Sequence, residues 1–377
     1  MTLASEAFTH IEEGEAVRIV DTDVHNIPLP DDLVPYLPKR WGDYMQLIGT
    51  RSPNEFGMTR ARFFGARTDT MPPSGRPPGT DPDFCREQIF GRWDIDLAII
   101  NCQSVMVMTY QGGNQPQDYT IAIQRASNEY LRDQWLDLDP RFHAAICAPV
   151  EYPDATAAEI ERLVEHPQFV AVMVPSRTEK PLGNPKYWPM YEAAEAFGLP
   201  IQLHPGGTGL NLGTGAGWPS FYYEDHCGVP LAVTPHLASM VCNGVFERFP
   251  KLRVALVECG WSWFAPFLWR FDRAFEELRA EVPHLQRRPS EYLKDHLWFT
   301  TQPIEEPETP EQFVEALDHA GIADRLMYSS DYPHWDFDPP EGVLPGTVPG
   351  EVQRKIFRDT ALALYGLPSN RVVPVQA

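Results

Sequence analysis

The chain has 377 residues, 43% of them hydrophobic, which suits either one large barrel or two ordinary domains. Its formal net charge of -21 disfavours binding to phosphate backbones and anionic lipid, so we expect neither a nucleic-acid partner nor a membrane partner. The N-terminus lacks a basic segment followed by an apolar stretch, and we therefore expect a cytoplasmic protein.

Short apolar runs alternate with amphipathic stretches along the chain, a pattern typical of parallel strands linked by helices. We predict eight strands, over 18–20, 97–101, 143–148, 171–174, 201–204, 254–258, 298–301 and 326–329. Helices are predicted over 119–137, 155–165, 187–196, 229–249, 263–280, 310–320 and 351–365. Eight such repeats predict an α/β fold of the (β/α)8 TIM-barrel type.

Two long segments interrupt this rhythm, one over 26–84 and one over 206–228. The first is rich in Pro, Gly and Arg, and the second contains a cluster of glycines. Each follows a strand with a candidate ligand, so we interpret both as rim insertions, long loops over the C-terminal face of the barrel. The predicted organisation is an N-terminal tail over 1–16 and a single barrel domain over 17–377.

Four side chains at strand ends are candidate metal ligands. Asp23 and His25 alternate after the first apolar run, so both side chains point the same way. His204 ends the fifth strand, and Asp331 follows the eighth. Because the carboxyl ends of barrel strands converge on one face, these residues predict a site for one divalent ion, with Zn or Mn preferred.

Asp331, Glu258 and His236 are the candidate catalytic residues. Glu258 closes the sixth strand, where it is either an outer ligand, a proton acceptor or the residue that orients a ligating histidine. His236 lies near the start of a helix, where it either transfers protons or caps and packs.

Three further residues are candidate substrate contacts. Arg177 follows the fourth strand and is placed either to clamp an anionic group or to form a surface ion pair. Trp261 and Trp335 follow the sixth and eighth strands, where they would line an aromatic-binding wall. Core packing is the alternative for both, and for Trp261 in particular.

Three segments resemble a known family: Ser330-Asp331-Tyr332-Pro333-His334, the run over 245–250, and the closing run over 363–367. In these the chain is similar to the amidohydrolase-related branch of the amidohydrolase superfamily. That branch includes aminocarboxymuconate semialdehyde and resorcylate decarboxylases and lactone hydrolases, all on metal-bearing (β/α)8 barrels. The resemblance implies one divalent ion held by Asp23, His25, His204 and Asp331, and it makes a homodimer an expected assembly.

The chain also departs from the family pattern. Asp23 is one methylene shorter than the glutamate of relatives with a Glu-x-His pair, and Glu258 stands where several relatives have a histidine. No lysine ends the fourth strand, so the bridging lysine of binuclear relatives is missing and a mononuclear centre is favoured.

The leading functional hypothesis is a mononuclear metal-dependent hydrolase acting on a small aromatic or carboxylated molecule. In this hypothesis the ion activates water, Asp331 or Glu258 takes the proton, and His236 assists. The alternative enzyme is a metal-dependent non-oxidative decarboxylase of an aromatic or unsaturated carboxylic acid. A third hypothesis, from another class, is a non-catalytic barrel that only binds a ligand.

Overall fold

The structure is a computed structural model, and it describes residues 18–48, 65–102, 116–206, 217 and 220–367. The predicted tail over 1–16 lies outside these residues. So do parts of both predicted rim insertions, namely 49–64, 207–216 and 218–219. Within the described residues, no helix is both long enough and apolar enough to cross a membrane.

Eight parallel strands pair in sequence order, β1 through β8, and form a nearly closed barrel. The predicted (β/α)8 fold is therefore confirmed. The strands are β1 Ile19–Val24, β2 Ile95–Ile100, β3 Phe142–Cys147, β4 Phe169–Pro175, β5 Ile201–His204, β6 Val254–Leu256, β7 Leu297–Thr300 and β8 Leu326–Met327. The first strand is longer than predicted, and β6 ends two residues before Glu258.

The seam between β8 and β1 is closed mainly by bonds beyond the two-residue strand β8. The backbone N–H of Asp331 donates to Asp23 O over 3.0 Å, and that of His25 donates to Tyr332 O. The buried carboxylate of Asp21 accepts the N–H groups of Ser330 and Asp23 through its Oδ1. These bonds set the position of the β1 ligand candidates relative to Asp331.

Helices fill the connections between strands. Those before the sixth strand are α1 Pro30–Leu33, α2 Lys39–Ile48, α3 Pro82–Arg86, α4 Gln117–Leu131, α5 Pro153–Leu163, α6 Trp188–Phe197, α7 Tyr222–Ala232, α8 Thr234–Cys242 and α9 Val245–Arg248. Those after it are α10 Phe264–Glu277, α11 Pro289–His296, α12 Pro310–Ala320, α13 Gly350–Arg354 and α14 Thr360–Tyr365. Helix α12 shows typical boundaries, because Thr309 caps its start and Gly321 ends it with φ 66°.

The single helix predicted over 229–249 was wrong, because the chain forms parts of three helices there. Pro235 occupies the first turn of α8, where its missing N–H costs nothing and marks a helix start. Gly244 separates α8 from α9 with φ 71°, a left-handed conformation that favours glycine. The apolar periodicity continues across both breaks, which is why the pattern alone did not separate the helices.

The barrel interior is packed beneath the ligand candidates. Leu97, Ile99 and Ala255 belong to a buried cluster that the last helix, α14, joins with Leu364. On β5, Gln202 lies two residues before His204 on the same strand face, and its Nε2 donates to Tyr365 Oη of α14. The last helix therefore stabilises the layer on which the site rests.

We predict that Gly183→Ala destabilises the barrel. A Cβ at Gly183 would overlap the carbonyl oxygen of Ser239 in α8, and backbone has little freedom to move. The expected loss is about 1–3 kcal/mol of the free energy of unfolding, measured by denaturant titration. Gly91→Ala is the matched control, since no atom of the part of the chain that the structure describes lies within 4 Å of its Cβ position. Equal stability of both variants would contradict the prediction.

Candidate metal centre

Four buried side chains meet at the C-terminal face of the barrel. Asp23, His25, His204 and Asp331 are all 0–1% exposed. The Nε2 of His25 lies 3.3 Å from Asp23 Oδ1 and 3.0 Å from Asp331 Oδ1. The Nε2 of His204 lies 3.6 Å from Asp23 Oδ1. The structure thus places Asp23, His25 and His204 together and Asp331 against His25. Their role as metal ligands stays a prediction.

Main-chain carbonyls orient both histidines. His25 Nδ1 lies 2.7 Å from Asn101 O, and His204 Nδ1 lies 2.8 Å from Pro205 O. Because Nδ1 donates to a carbonyl, Nε2 is the nitrogen left to face the carboxylates. Such a second bond is the usual way in which a protein fixes the tautomer and ring orientation of a ligating histidine.

Glu258 and His334 complete the cluster on its more accessible side. The Glu258 side chain is 15% exposed, and its Oε2 lies 3.2 Å from His204 Nε2. The His334 side chain is 13% exposed, and its Nδ1 lies 2.6 Å from Asp331 Oδ1. By exposure, the cluster has four ligand candidates at its base and two titratable groups toward solvent.

The backbone turns Glu258 into the cluster. The side chains of Val254 and Leu256 pack in the main apolar core, away from the cluster inside the barrel that contains Ala255. Strict alternation would point residue 258 the same way as Val254 and Leu256, away from the barrel interior. Instead Glu258 has φ 52°, a conformation uncommon for a residue with a side chain, and its N–H donates to Thr300 Oγ1. Asp331 also has a positive φ, 60°. Backbone strain of this kind concentrates at functional sites.

The cluster carries strongly perturbed carboxyl groups. Burial raises the pKa of Glu258 to about 8, with the charge of Asp331 as the next cause. Burial, followed by the charge of Asp23, raises the pKa of Asp331 well above its usual range. At Asp23 the charges of His25 and His204 outweigh burial and lower the pKa to about 2. Like charges are thus concentrated out of water, an arrangement that favours a bound cation.

The donor set fits a divalent metal ion. Donor atoms of Asp23, His25, His204 and Glu258 all lie within 4.8 Å of one another, as do those of a second set in which Asp331 and His334 join His25 and Glu258. Among the described residues, the buried Asp23 Oδ2 and His204 Nε2 find no hydrogen-bond partner of good geometry. Mixed imidazole and carboxylate donors suit Zn, Mn or Fe(II).

The family model of the amidohydrolases matches residues 105–367 of this chain. The chain belongs to the amidohydrolase family. It is 26% identical over 247 residues to a gamma-resorcylate decarboxylase from Polaromonas sp., covering 61% of this chain and 72% of that protein. A gamma-resorcylate decarboxylase from Rhodococcus jostii is 24% identical over 321 residues, covering 78% of this chain and 93% of that protein.

Solved structures share the fold at lower identity. A 5-carboxyvanillate decarboxylase from Novosphingobium aromaticivorans, complexed with manganese and 4-hydroxy-3-methoxy-5-nitrobenzoic acid, superposes with a TM-score of 0.70. Its identity to this chain is 17%, and the match covers 97% of this chain and 100% of that one. An amidohydrolase from Mycobacterium avium subsp. paratuberculosis gives a TM-score of 0.69 at 20% identity, covering 94% of this chain and 100% of that one.

His236 is placed for structure rather than for proton transfer. It is buried, its Nε2 lies 2.6 Å from Ser176 O, and its Nδ1 accepts the Leu182 N–H over 3.1 Å. Both ring nitrogens therefore hold the segment that follows β4. Arg177 lies in the same segment, half-buried, and its backbone N–H donates to Gly206 O beyond β5.

The two candidate substrate tryptophans differ in their surroundings. Trp261 is 1% exposed and packs edge-on against Phe313 of α12, with ring centroids 5.2 Å apart. This position is that of a core residue, so the structure contradicts the predicted substrate-binding role of Trp261. Trp335 is 54% exposed, and its ring lies 5.6 Å from that of His226 on α7. Trp335 therefore lies exposed beside α7, and its substrate-binding role stays a prediction.

Sequence reasoning did not place three contacting residues in the cluster, namely Asn101, Gln302 and His334. Asn101 Nδ2 donates to Asp23 Oδ1 over 2.8 Å, and Gln302 Nε2 donates to Asp331 Oδ2 over 3.3 Å. His334 was part of the motif that carried the family resemblance, and its spacing of three residues from Asp331 was the available signal. For Asn101 and Gln302 the only signal was their position just beyond β2 and β7.

We predict that Asn101→Ala weakens metal binding without unfolding the protein. The substitution removes the amide that holds Asp23 Oδ1, while the carbonyl that orients His25 remains. Loss of such a supporting bond typically lowers metal affinity about 10–100-fold. Isothermal titration with Mn²⁺ measures the effect, with the exposed Asn243→Ala as control. Unchanged affinity in the Asn101 variant would contradict the assignment of Asp23 as a ligand.

Proposed function

We propose that the protein is a metal-dependent non-oxidative decarboxylase of a small aromatic carboxylic acid. One combined observation carries this proposal. The chain has a buried cluster of two histidines and two carboxylates, and its named relatives are decarboxylases. This reverses the order of the two enzyme hypotheses drawn from the sequence. The support for a decarboxylase comes from relatives named for aromatic acids such as gamma-resorcylate and 5-carboxyvanillate.

In the proposal, Asp23, His25, His204 and Asp331 hold one divalent ion, with manganese the first choice. Two solved relatives contain manganese, which supports that choice. The bound ion would supply positive charge to the anionic oxygens of the substrate. Without such charge, a carboxylate substrate would meet the like charges of the cluster, so catalysis should require the ion.

The reaction replaces a carboxylate group on a ring carbon by a proton. The ring carbon takes the proton, the bond to the carboxylate carbon breaks, and its electron pair returns to the ring as carbon dioxide leaves. We assign the proton donor to Glu258 at Oε2, because Glu258 is the most exposed carboxylate of the cluster. His334 lies beside Asp331 on the same side and orients that carboxylate.

A hydrolase is the second candidate function. Glu258 is the observation that favours it, since a partly exposed carboxylate next to a ligating histidine also suits a general base for water. In that case Glu258 would accept a proton rather than donate one. The two candidates therefore share a site and differ in their products.

We predict that the Mn²⁺-loaded protein releases carbon dioxide from hydroxylated benzoic acids. The assay is coupled detection of carbon dioxide together with chromatography of the decarboxylated ring product. Treatment with a chelator should abolish turnover and added Mn²⁺ should restore it. Aryl esters and lactones form the comparison panel, and hydrolysis of these without carbon dioxide release would favour the second candidate.

We predict that Glu258→Gln lowers kcat about 10²–10⁴-fold while the protein still binds Mn²⁺. The amide has nearly the same size as the carboxyl group but cannot donate the carboxyl proton. Steady-state kinetics on the accepted acid and a parallel Mn²⁺ titration separate the two effects. Glu277→Gln, on the surface of α10, is the matched control. Loss of Mn²⁺ instead of kcat would assign Glu258 to the ligands.

A further inference from the structure

Helix α7 contacts the segment beyond β8 at the C-terminal face of the barrel. It follows β5 in the chain, yet the side chain of its His226 reaches Asp336, which lies beyond β8. Because β6 and β7 lie between β5 and β8 in the barrel order, this contact brings His226 to the β8 side of the face that carries the cluster. The exposed Trp335 contacts His226 from the β8 side, with ring centroids 5.6 Å apart.

A continuous polar chain joins this helix to the metal-binding carboxylate. His226 Nε2 lies 3.2 Å from Asp336 Oδ2, and the same oxygen accepts the Gln302 Nε2 over 3.0 Å. Gln302 Nε2 also lies 3.3 Å from Asp331 Oδ2. The same nitrogen lies 3.3 Å from the main-chain oxygen of Asp336, so its two hydrogens are shared among three acceptors, two of which are the carboxylates.

Burial makes this chain stiff. Gln302 is 0% exposed and Asp331 is 1% exposed, so neither can exchange its bond for one to bulk water at low cost. The side chains of Asp336 and His226 are more accessible, at 13% and 29%. The chain thus runs from the buried base of the cluster to the edge of the covering helix.

We propose that His226, Asp336 and Gln302 are positioning residues that couple helix α7 to Asp331, so that metal binding orders the helix over the substrate pocket. This inference rests on the proposed metal-dependent function of the cluster. When Asp331 binds an ion, its Oδ2 is fixed, Gln302 is held by it, and Asp336 is held in turn. His226 then holds the helix, and the substrate is enclosed between the cluster and α7.

The alternative is that the His226–Asp336 pair is only a local ion pair at the rim. An isolated ion pair at a partly solvated rim contributes little to stability on its own. The two explanations differ in one respect: only coupling makes the order of α7 depend on metal binding at Asp331.

Hydrogen–deuterium exchange of the full-length protein tests the proposal, with Mn²⁺ as the probe and no substrate present. In the unsubstituted protein, saturating Mn²⁺ should slow exchange of amides within 222–232 by about tenfold. His226→Ala and Asp336→Ala should exchange about tenfold faster in this segment than the unsubstituted protein with Mn²⁺. Asp336→Asn, which keeps one acceptor oxygen, should give an intermediate rate.

Gln302→Leu is the decisive variant, because it keeps the His226–Asp336 pair and removes the link to Asp331. It should still bind Mn²⁺, but binding should no longer slow exchange in α7. His319→Ala, at an exposed position of α12, is the matched control, and exchange in α12 should not respond to any of these substitutions.

Three results would overturn the proposal: no Mn²⁺ effect on α7 in the unsubstituted protein, an equal effect in Gln302→Leu, or unchanged exchange in both His226→Ala and Asp336→Ala. Absence of Mn²⁺ binding gives the first of these results. If Asp336→Ala fails to fold, His226→Ala and Gln302→Leu decide between the explanations. Because no substrate is used, failure of the decarboxylase assay leaves this test intact. An unresponsive α7 in a protein that binds Mn²⁺ overturns this proposal alone, whereas absence of Mn²⁺ binding overturns the proposed function as well.

Discussion

The site depends on one electrostatic constraint, the burial of several carboxylates at the same end of one barrel. Asp23 and Asp331 are almost fully buried, Glu258 is close to both, and the ion pairs that the structure gives these three carboxylates are with histidines. In the absence of a cation this arrangement is costly, and the raised pKa values of Glu258 and Asp331 express that cost. A bound divalent ion would offset this repulsion directly, and its binding would then stabilise the fold.

Hydrogen bonds from groups that are not ligand candidates hold these buried side chains in position. Asn101, Pro205 and Gln302 supply the main-chain and amide groups that orient the histidines and carboxylates. Asp21 ties β1 to the segment after β8 from beneath. Each of these groups lies at or just beyond a different strand, so the closed barrel is what brings them to one place.

Much of the fold was predictable because it follows from local patterns. Eight apolar runs at regular intervals gave the parallel barrel, and the ligand candidates could be placed because residues beyond strand ends converge on one face. The sequence did not separate hydrolysis from decarboxylation, because the two reactions use similar donor sets and differ in the groups that face the substrate. The decarboxylase hypothesis now ranks above the hydrolase hypothesis because relatives of the chain are named as decarboxylases. No residue spacing in the chain indicated this.

The amino-acid sequence by itself determined the barrel class, the four buried ligand candidates and the family, because each depends on short-range periodicity or on short motifs. Only the tertiary structure decided that Trp261 is a core residue, that both nitrogens of His236 bond to main chain, and that Glu258 turns inward. It also revealed the link from His226 through Asp336 and Gln302 to Asp331. These features depend on contacts between residues far apart in the chain and on a backbone conformation with positive φ, neither of which a periodic pattern encodes.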